Sequence, residues 1–403
     1  VVLAYTCEAA DRRDCFITLL PAGLPVLAAV LAEQGQQVVL ANYCQHTIAA
    51  AAKDIAARQP VLVGMSLLTH NRHATLALAR ALKRLRPETI IAAGGPHAAA
   101  LAGQLLARCP ELDYIVRGEG EAALPALLAA VAGGQRPARG IIDATRLCDL
   151  DRLPLAASFA GTMIGIDAPR QFGVLIGSRG CPEQCSYCCS PGFWHRQVRY
   201  RSPESLIAEL RVIHTRFGLR AFSLRDDNFL LERKRATHFA ELLRRIKPRW
   251  RWSCQARVDC VDTALLRELR AAGLEHIQFG LETAAPRLLA AYRKRLTPDA
   301  VRAAAAAAHA ARLPFTLYLM TGAPGEETAD IDATAALLRE LRPDGIVVSP
   351  VAYYPGTALY DAARRAGRIS DDDWFTRRGS GIVVRNDRIA RSWPARLAAA
   401  IQR

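Results

Sequence analysis

The chain has 403 residues, of which 51% are hydrophobic, 23% charged and only 6% aromatic. That length allows two or three domains with their own cores, and the composition excludes a disordered or fibrous chain. The formal charge of +15 is carried almost entirely by arginine. The arginines are scattered along predicted helices, and the densest tract, Arg244-Arg245-Ile246-Lys247-Pro248-Arg249, falls at a predicted helix end, where the dipole favours cations. With no aromatic-interleaved basic stripe, nucleic acid is not the expected partner. No apolar run reaches the roughly 18–20 residues needed to cross a bilayer. The best candidate, residues 19–32, is broken by two prolines, and no secretory signal opens the chain. The eleven cysteines are an odd number without a disulfide framework. A cytoplasmic, reducing setting is therefore expected.

Taken in chain order, residues 1 to about 135 alternate short apolar strands with amphipathic helices. Strands are predicted at 1–5, 37–40, 61–66, 90–93 and 114–116, and helices at 25–34, 48–58, 73–85, 98–108 and 123–131. This alternation predicts a doubly wound parallel sheet, which binds ligands beyond the carboxyl ends of its strands. Residues 136–170, with several prolines and little periodicity, read as a linker. From 171 the alternation resumes. Strands at 173–177, 221–224, 250–255, 276–279, 315–320 and 345–350 are separated by helices at 203–217, 235–246, 264–272, 286–292, 298–311 and 330–341. Six such units over 171–365 suit a partial (βα)6 barrel, short of the eight that close one. Residues 366–403 read as a polar tail.

The most informative stretch is Gly180-Cys181-Pro182-Glu183-Gln184-Cys185-Ser186-Tyr187-Cys188, with spacing C-x3-C-x2-C. It follows the first barrel strand, so it lies on the carboxyl face, where barrel enzymes place their chemistry. Three thiolates on one loop can hold three corners of an iron–sulfur cube and leave the fourth iron open to a substrate. Zinc is the alternative, with His195 as a conceivable fourth ligand, although the x3 gap is unusual for it. Plain structural thiols are another.

The cysteine loop, with Tyr187 just before its third cysteine, resembles the radical S-adenosylmethionine (SAM) superfamily. The first half resembles the cobalamin-binding domain that precedes the barrel in one branch of that superfamily. That likeness rests on Pro21-Ala22-Gly23-Leu24, Val63-Gly64-Met65-Ser66 followed by Thr69, Gly94-Gly95-Pro96-His97 and Arg117-Gly118-Glu119-Gly120-Glu121. In the barrel half it rests on Arg225-Asp226-Asp227-Asn228-Phe229, Phe279-Gly280-Leu281-Glu282-Thr283, Gly322-Ala323-Pro324-Gly325-Glu326 and Tyr354-Pro355-Gly356-Thr357. The likeness spans about residues 1–375.

The resemblance implies that Cys181, Cys185 and Cys188 ligate a [4Fe–4S] cluster whose open iron binds SAM, and that one electron then yields a 5′-deoxyadenosyl radical. It implies further SAM contacts. One of Asp226 and Asp227 would meet the ammonium group, the alternative being a helix N-cap. Arg257 would fork onto the carboxylate, or else form a surface ion pair. Glu282 would reach the ribose or orient Arg257, with Gly280 beside it. Gly322 and Pro324 would shape a loop near the adenine, and Tyr187 would offer backbone contacts there. Ser66, Thr69, Gly94, Gly95 and Gly118 would line a corrin site, or simply form turns. The loop after the first strand, Thr6-Cys7-Glu8-Ala9-Ala10-Asp11, has no histidine, so cobalamin is expected without a protein histidine below cobalt. His97 is expected to cap or pack. The implied activity is methylation of an unactivated carbon in a small molecule or peptide, with a flavodoxin- or ferredoxin-like electron donor. The alternative is radical cyclisation, ring contraction or rearrangement without methyl transfer.

Overall fold

The computed structural model describes residues 1–377, 382–383 and 392–402. They form two units. The first comprises residues 1–172, 354–356 and 360–377, and the second 173–353, 357–359 and the described residues beyond 381.

In the first unit the elements alternate as β1 (Val2–Tyr5), α1 (Gly23–Glu33), β2 (Val39–Asn42), α2 (Ile48–Ala57), β3 (Leu62–Ser66), α3 (Arg72–Leu85), β4 (Ile90–Gly94), α4 (Pro96–Ala100), α5 (Ala102–Arg108), β5 (Tyr114–Arg117) and α6 (Gly120–Ala132). β1 and β3 are buried at every position, as expected of parallel strands covered on both faces. The helix expected at 98–108 is two helices meeting at Leu101, whose φ of −116° leaves the helical range. The linker expected at 136–170 instead supplies both edges of the sheet. β6 (Gly140–Asp143) pairs with β5, and β7 (Thr162–Ile164) with β2. Their half-exposed positions show why the sequence reads as polar: an edge strand does not need the continuous apolar run of a central one. The full order is β6-β5-β4-β3-β1-β2-β7, all parallel. The winding reverses between β1 and β3, which opens a crevice at their carboxyl ends.

The second unit begins after α7 (Ala168–Phe172). It contains β8 (Val174–Leu175), β9 (Ser178–Arg179), α8 (Ser190–Trp194), β10 (Arg199–Tyr200), α9 (Pro203–Phe217), β11 (Ala221–Leu224), α10 (Arg233–Arg245), β12 (Arg251–Ala256), α11 (Thr263–Ala271), β13 (Leu274–Glu282), α12 (Pro286–Ala291), α13 (Pro298–Ala310), β14 (Phe315–Thr321), α14 (Thr328–Leu341) and β15 (Gly345–Pro350). Six parallel strands lie in the order β15-β14-β13-β12-β11-β8, the partial barrel expected. α9 shows how local chemistry sets these helices. Ser202 caps it by accepting from the Ser205 N–H, Pro203 opens it, and Gly218 at φ +68° ends it. The expected tail is more than a polar segment. Asp373–Thr376 is a helix that buries Trp374, and Ser392–Ala399 one that buries Trp393 and Leu397. Among the described residues no helix is long and apolar enough to cross a membrane.

Candidate cluster and corrin sites

The cysteine loop is closed at its base by the antiparallel pair β9–β10. Gly180 enters it at φ +99°, pressed so closely on the exit strand that a Cβ would strike the Gln197 carbonyl. All eleven cysteines are free thiols, and the three of the motif are partly exposed. The Ser190 N–H donates to Cys188 Sγ at 3.4 Å, the Glu183 N–H faces Cys181, and Lys294 and Arg257 favour the thiolate of Cys185. Burial pushes the thiol of Cys181 up to about 11 and that of Cys188 up to about 12, so these groups stay protonated until a metal displaces the proton. Among the described residues no three such side chains converge on a single-ion centre, and His195 is exposed at the end of α8. The donor set suits a cube, which takes each thiolate on a different iron and is tuned by hydrogen bonds to sulfur.

The two aspartates after β11 have different fates. Asp226 is 1% exposed and accepts from the Gly177 N–H at 2.6 Å and from Ser178 Oγ at 2.7 Å. Beside it Arg235 donates to the Gly177 carbonyl at 2.7 Å and lies over the rings of Tyr200 and Phe229. Asp226 thus ties the segment after β8 to the end of β11, which leaves Asp227 as the freer of the two candidates. Asp227 is exposed. It accepts from Ser190 Oγ at 2.5 Å and lies close enough to Cys181, Cys188 and Cys189 to oppose their ionisation.

At the end of β13 the ladder shifts register between Gly280 and Glu282, and Glu282 adopts φ +68°, a strained setting for a residue with a side chain. This turns its carboxylate inward, to 8% exposure, against Lys294 Nζ at 2.6 Å and the Tyr187 hydroxyl at 2.9 Å. Gly280 leaves room for this pair, since a Cβ would sit 2.7 Å from Glu282 Oε1 and 2.8 Å from Lys294 Nζ and would push them aside. Tyr187 also packs edge-on against Tyr292. Arg257 forms an ion pair, the alternative given for it. Its fork is filled by Asp259, at 2.9 and 2.7 Å, with Glu183 of the cysteine loop 3.7 Å away. Gly322, at φ +90°, is buried, Pro324 is exposed, and buried Glu326 accepts from the N–H groups of Gly322 and Ala323 to fold the loop. Lys294, Ser190 and the barrel-lining Gln278, which accepts from Arg225, Gln255 and Tyr318, carry no motif and were not foreseen.

In the first unit Ser66 ends β3 and Gly94 ends β4, both at the carboxyl edge. Gly95, at φ +107°, lets the two loops approach so closely that a Cβ would be 3.0 Å from the Leu67 carbonyl. Gly118, at φ +95°, turns the chain after β5. Thr69 bonds to His97 Nδ1 at 3.1 Å, and His97 packs edge-on against Trp374, so it does pack. Burial holds His97 down at about 3, hence neutral. Fully buried Asn71 staples the crevice: its Nδ2 donates to the carbonyls of Thr6 and Ser66, and its Oδ1 accepts from the Leu68 N–H. Asp11 Oδ2 and Arg12 Nε are buried without a partner among the described residues. Orphaned acceptors and donors beside a glycine-lined edge fit a ring fringed with amides.

Two family models match in this order. One, described as B12 binding domain, covers residues 18–128, and the other, the radical SAM superfamily, covers 175–338. The chain is 27% identical over 383 residues to an uncharacterized methyltransferase, PH0819, of Pyrococcus horikoshii, covering 91% of this chain and 83% of that protein. It is 26% identical over 336 residues to the anaerobic magnesium-protoporphyrin IX monomethyl ester cyclase of Cereibacter sphaeroides, covering 78% of this chain but only 55% of the cyclase. Among solved structures, the radical SAM methyltransferase TsrM of Kitasatospora setae superposes with a TM-score of 0.77 at 18% identity, over 91% of this chain and 76% of that one. Fold and domain order define a radical SAM protein with an attached B12-binding domain. The chain belongs to the cobalamin-binding branch of the radical SAM superfamily.

Proposed function

We propose that the chain methylates an unactivated carbon of a small molecule or peptide. The observation that carries this reading is the joining of a B12-binding domain to a barrel whose first loop presents three free thiols, in a chain alignable over 91% of its length with a protein named as an uncharacterized methyltransferase. When bound, the cluster supplies the electron that cleaves SAM, and cobalamin carries the methyl group. The protein's own contribution is binding and charge. Cys181, Cys185 and Cys188 hold three corners of the cluster. Asp227, oriented by Ser190, accepts from the SAM ammonium group. Glu282 accepts from the ribose hydroxyls, with Lys294 paired to it at 2.6 Å. Gly322 and Pro324 border the adenine, while Tyr187 braces Glu282. Ser66, Gly94, Gly95 and Gly118 form the corrin edge, with Thr69 held by His97. Arg257, its fork engaged by Asp259, steadies the cysteine loop through Glu183. A small one-electron protein such as a flavodoxin or ferredoxin delivers the reducing equivalent.

The test is anaerobic reconstitution with iron, sulfide and cobalamin, followed by reduction with SAM present. Release of 5′-deoxyadenosine, and a product heavier than substrate by one CH2 unit, is expected. Failure to form a cluster defeats the proposal. The likeness to a cyclase favours one other reading, radical ring formation without methyl transfer. A product lighter by hydrogen would establish it.

A further inference from the structure

The sheet opens its ligand crevice between β1 and β3, and the two walls share a hydrogen-bonded pair. Tyr5, the last residue of β1, is 2% exposed, and its hydroxyl donates to the Ile17 carbonyl at 2.7 Å. A phenol has one proton to give. The 2.9 Å contact between the same oxygen and His70 Nε2 therefore needs its hydrogen from the imidazole. Nε2–H therefore points to Tyr5, and burial, which lowers the His70 pKa, favours the neutral ring, whose Nδ1 keeps its lone pair. Nδ1 has no hydrogen-bond partner among the described residues, and it is not one of the sealed, unpaired polar atoms of the interior. The loop that carries it is fixed, because Asn71 next to it bridges the carbonyls of Thr6 and Ser66 across the crevice.

We propose that His70 is the protein ligand to the cobalt of a bound corrinoid, through the Nδ1 lone pair, with Tyr5 as the positioning residue behind it. This rests on the cobalamin reading above. Metal-binding histidines generally donate their second ring N–H to a fixed acceptor, which sets tautomer and ring orientation, and Tyr5 supplies that acceptor. No proton has to leave, since the imidazole is already neutral at Nδ1. The other histidines of this unit are placed otherwise. His73, in the first turn of α3, meets the Arg377 carbonyl through Nε2 at 2.7 Å. His97 is 3% exposed and engaged by Thr69 and Trp374. His46 follows β2, outside the crevice, with its Nδ1 buried. The ligand sought in the loop after β1 thus comes from the loop after β3, on the facing wall.

The experiment uses the full chain, purified anaerobically and loaded with cobinamide, which lacks the nucleotide base, so any axial nitrogen must come from the protein. Cobalt retention is measured first. Electron paramagnetic resonance of the cobalt(II) form should then show nitrogen superhyperfine triplets, which become doublets in protein labelled with 15N-histidine. The splitting should vanish in His70→Ala and His70→Gln and persist in His46→Ala. Cobinamide retained without nitrogen splitting, or splitting that survives both His70 substitutions, overturns the assignment while leaving corrin binding intact. Failure to retain any corrinoid overturns the assignment together with the cobalamin reading beneath it. The isotope test needs no variant, so a misfolded substitution cannot mask the answer.

Discussion

The carboxyl edges of the two sheets follow one parallel plan and are equipped differently. The first-unit edge carries charges as well, among them Asp11, Arg12 and Arg72, but, among the described residues, no loop of three thiols. Its loops are shaped by Gly95 and Gly118 at positive φ and locked by the buried side chains of Asn71 and His97. The barrel edge is built of charge and sulfur: three thiols, Asp227, the Glu282–Lys294 pair and the Arg257–Asp259 fork. In the proposed reading a large, amide-fringed ring would be met chiefly by backbone shape. In the same reading a zwitterionic nucleoside and a metal cube would be met by placed ions, of which the buried Glu282 is already paired.

That contrast can be broken at several points, in falling order of expected effect. Replacing Cys181, Cys185 or Cys188 with Ala should abolish the cluster, measured as bound iron and sulfide, while leaving cobalamin uptake unchanged. Parallel loss of cobalamin would mean that the two edges are not independent. Lys294→Met leaves Glu282 buried and unpaired and should cost about 3–5 kcal/mol in chemical denaturation. Gly95→Ala strains a left-handed position and presses on the Leu67 carbonyl, for about 1–3 kcal/mol, and should weaken cobalamin retention but not cluster assembly. His97 supplies a pH signature. Its folded value of about 3 lies below the ordinary 6.5, so the unfolded chain binds the extra proton between those values, and stability must fall on acidification through that window. The limiting slope is about 1.4 kcal/mol per pH unit; it should be missing from His97→Phe and so appear as the difference between wild type and that variant. Smallest is Asp227→Asn, which should weaken SAM binding by about tenfold, near 1.4 kcal/mol, with little change in stability. Asp226→Asn should do the reverse.

Much of this was legible in the chain. Strand–helix alternation and the C-x3-C-x2-C spacing are local patterns, and each is set by residues a few positions apart. They were enough for two parallel sheets in order, a partial barrel of six strands and a sulfur-rich loop at its mouth. The glycines at the turns were readable for the same reason, since φ is a local variable.

What tertiary structure alone decided involves partners far apart in sequence. β6 and β7 look like linker because an edge strand is specified by the neighbour it pairs with. Asp226 and Asp227 are chemically identical neighbours, but they point to opposite environments, so one is tied by Gly177 and Ser178 and the other is left at the rim. Lys294 reached Glu282 only because a register shift turned that carboxylate inward. His70 has no motif at all. Its tautomer follows from a phenol 65 residues away whose single proton is already spent on Ile17. Periodicity in a sequence records which face is buried, whereas the fate of a proton or a charge depends on what folding brings within about 3 Å of it.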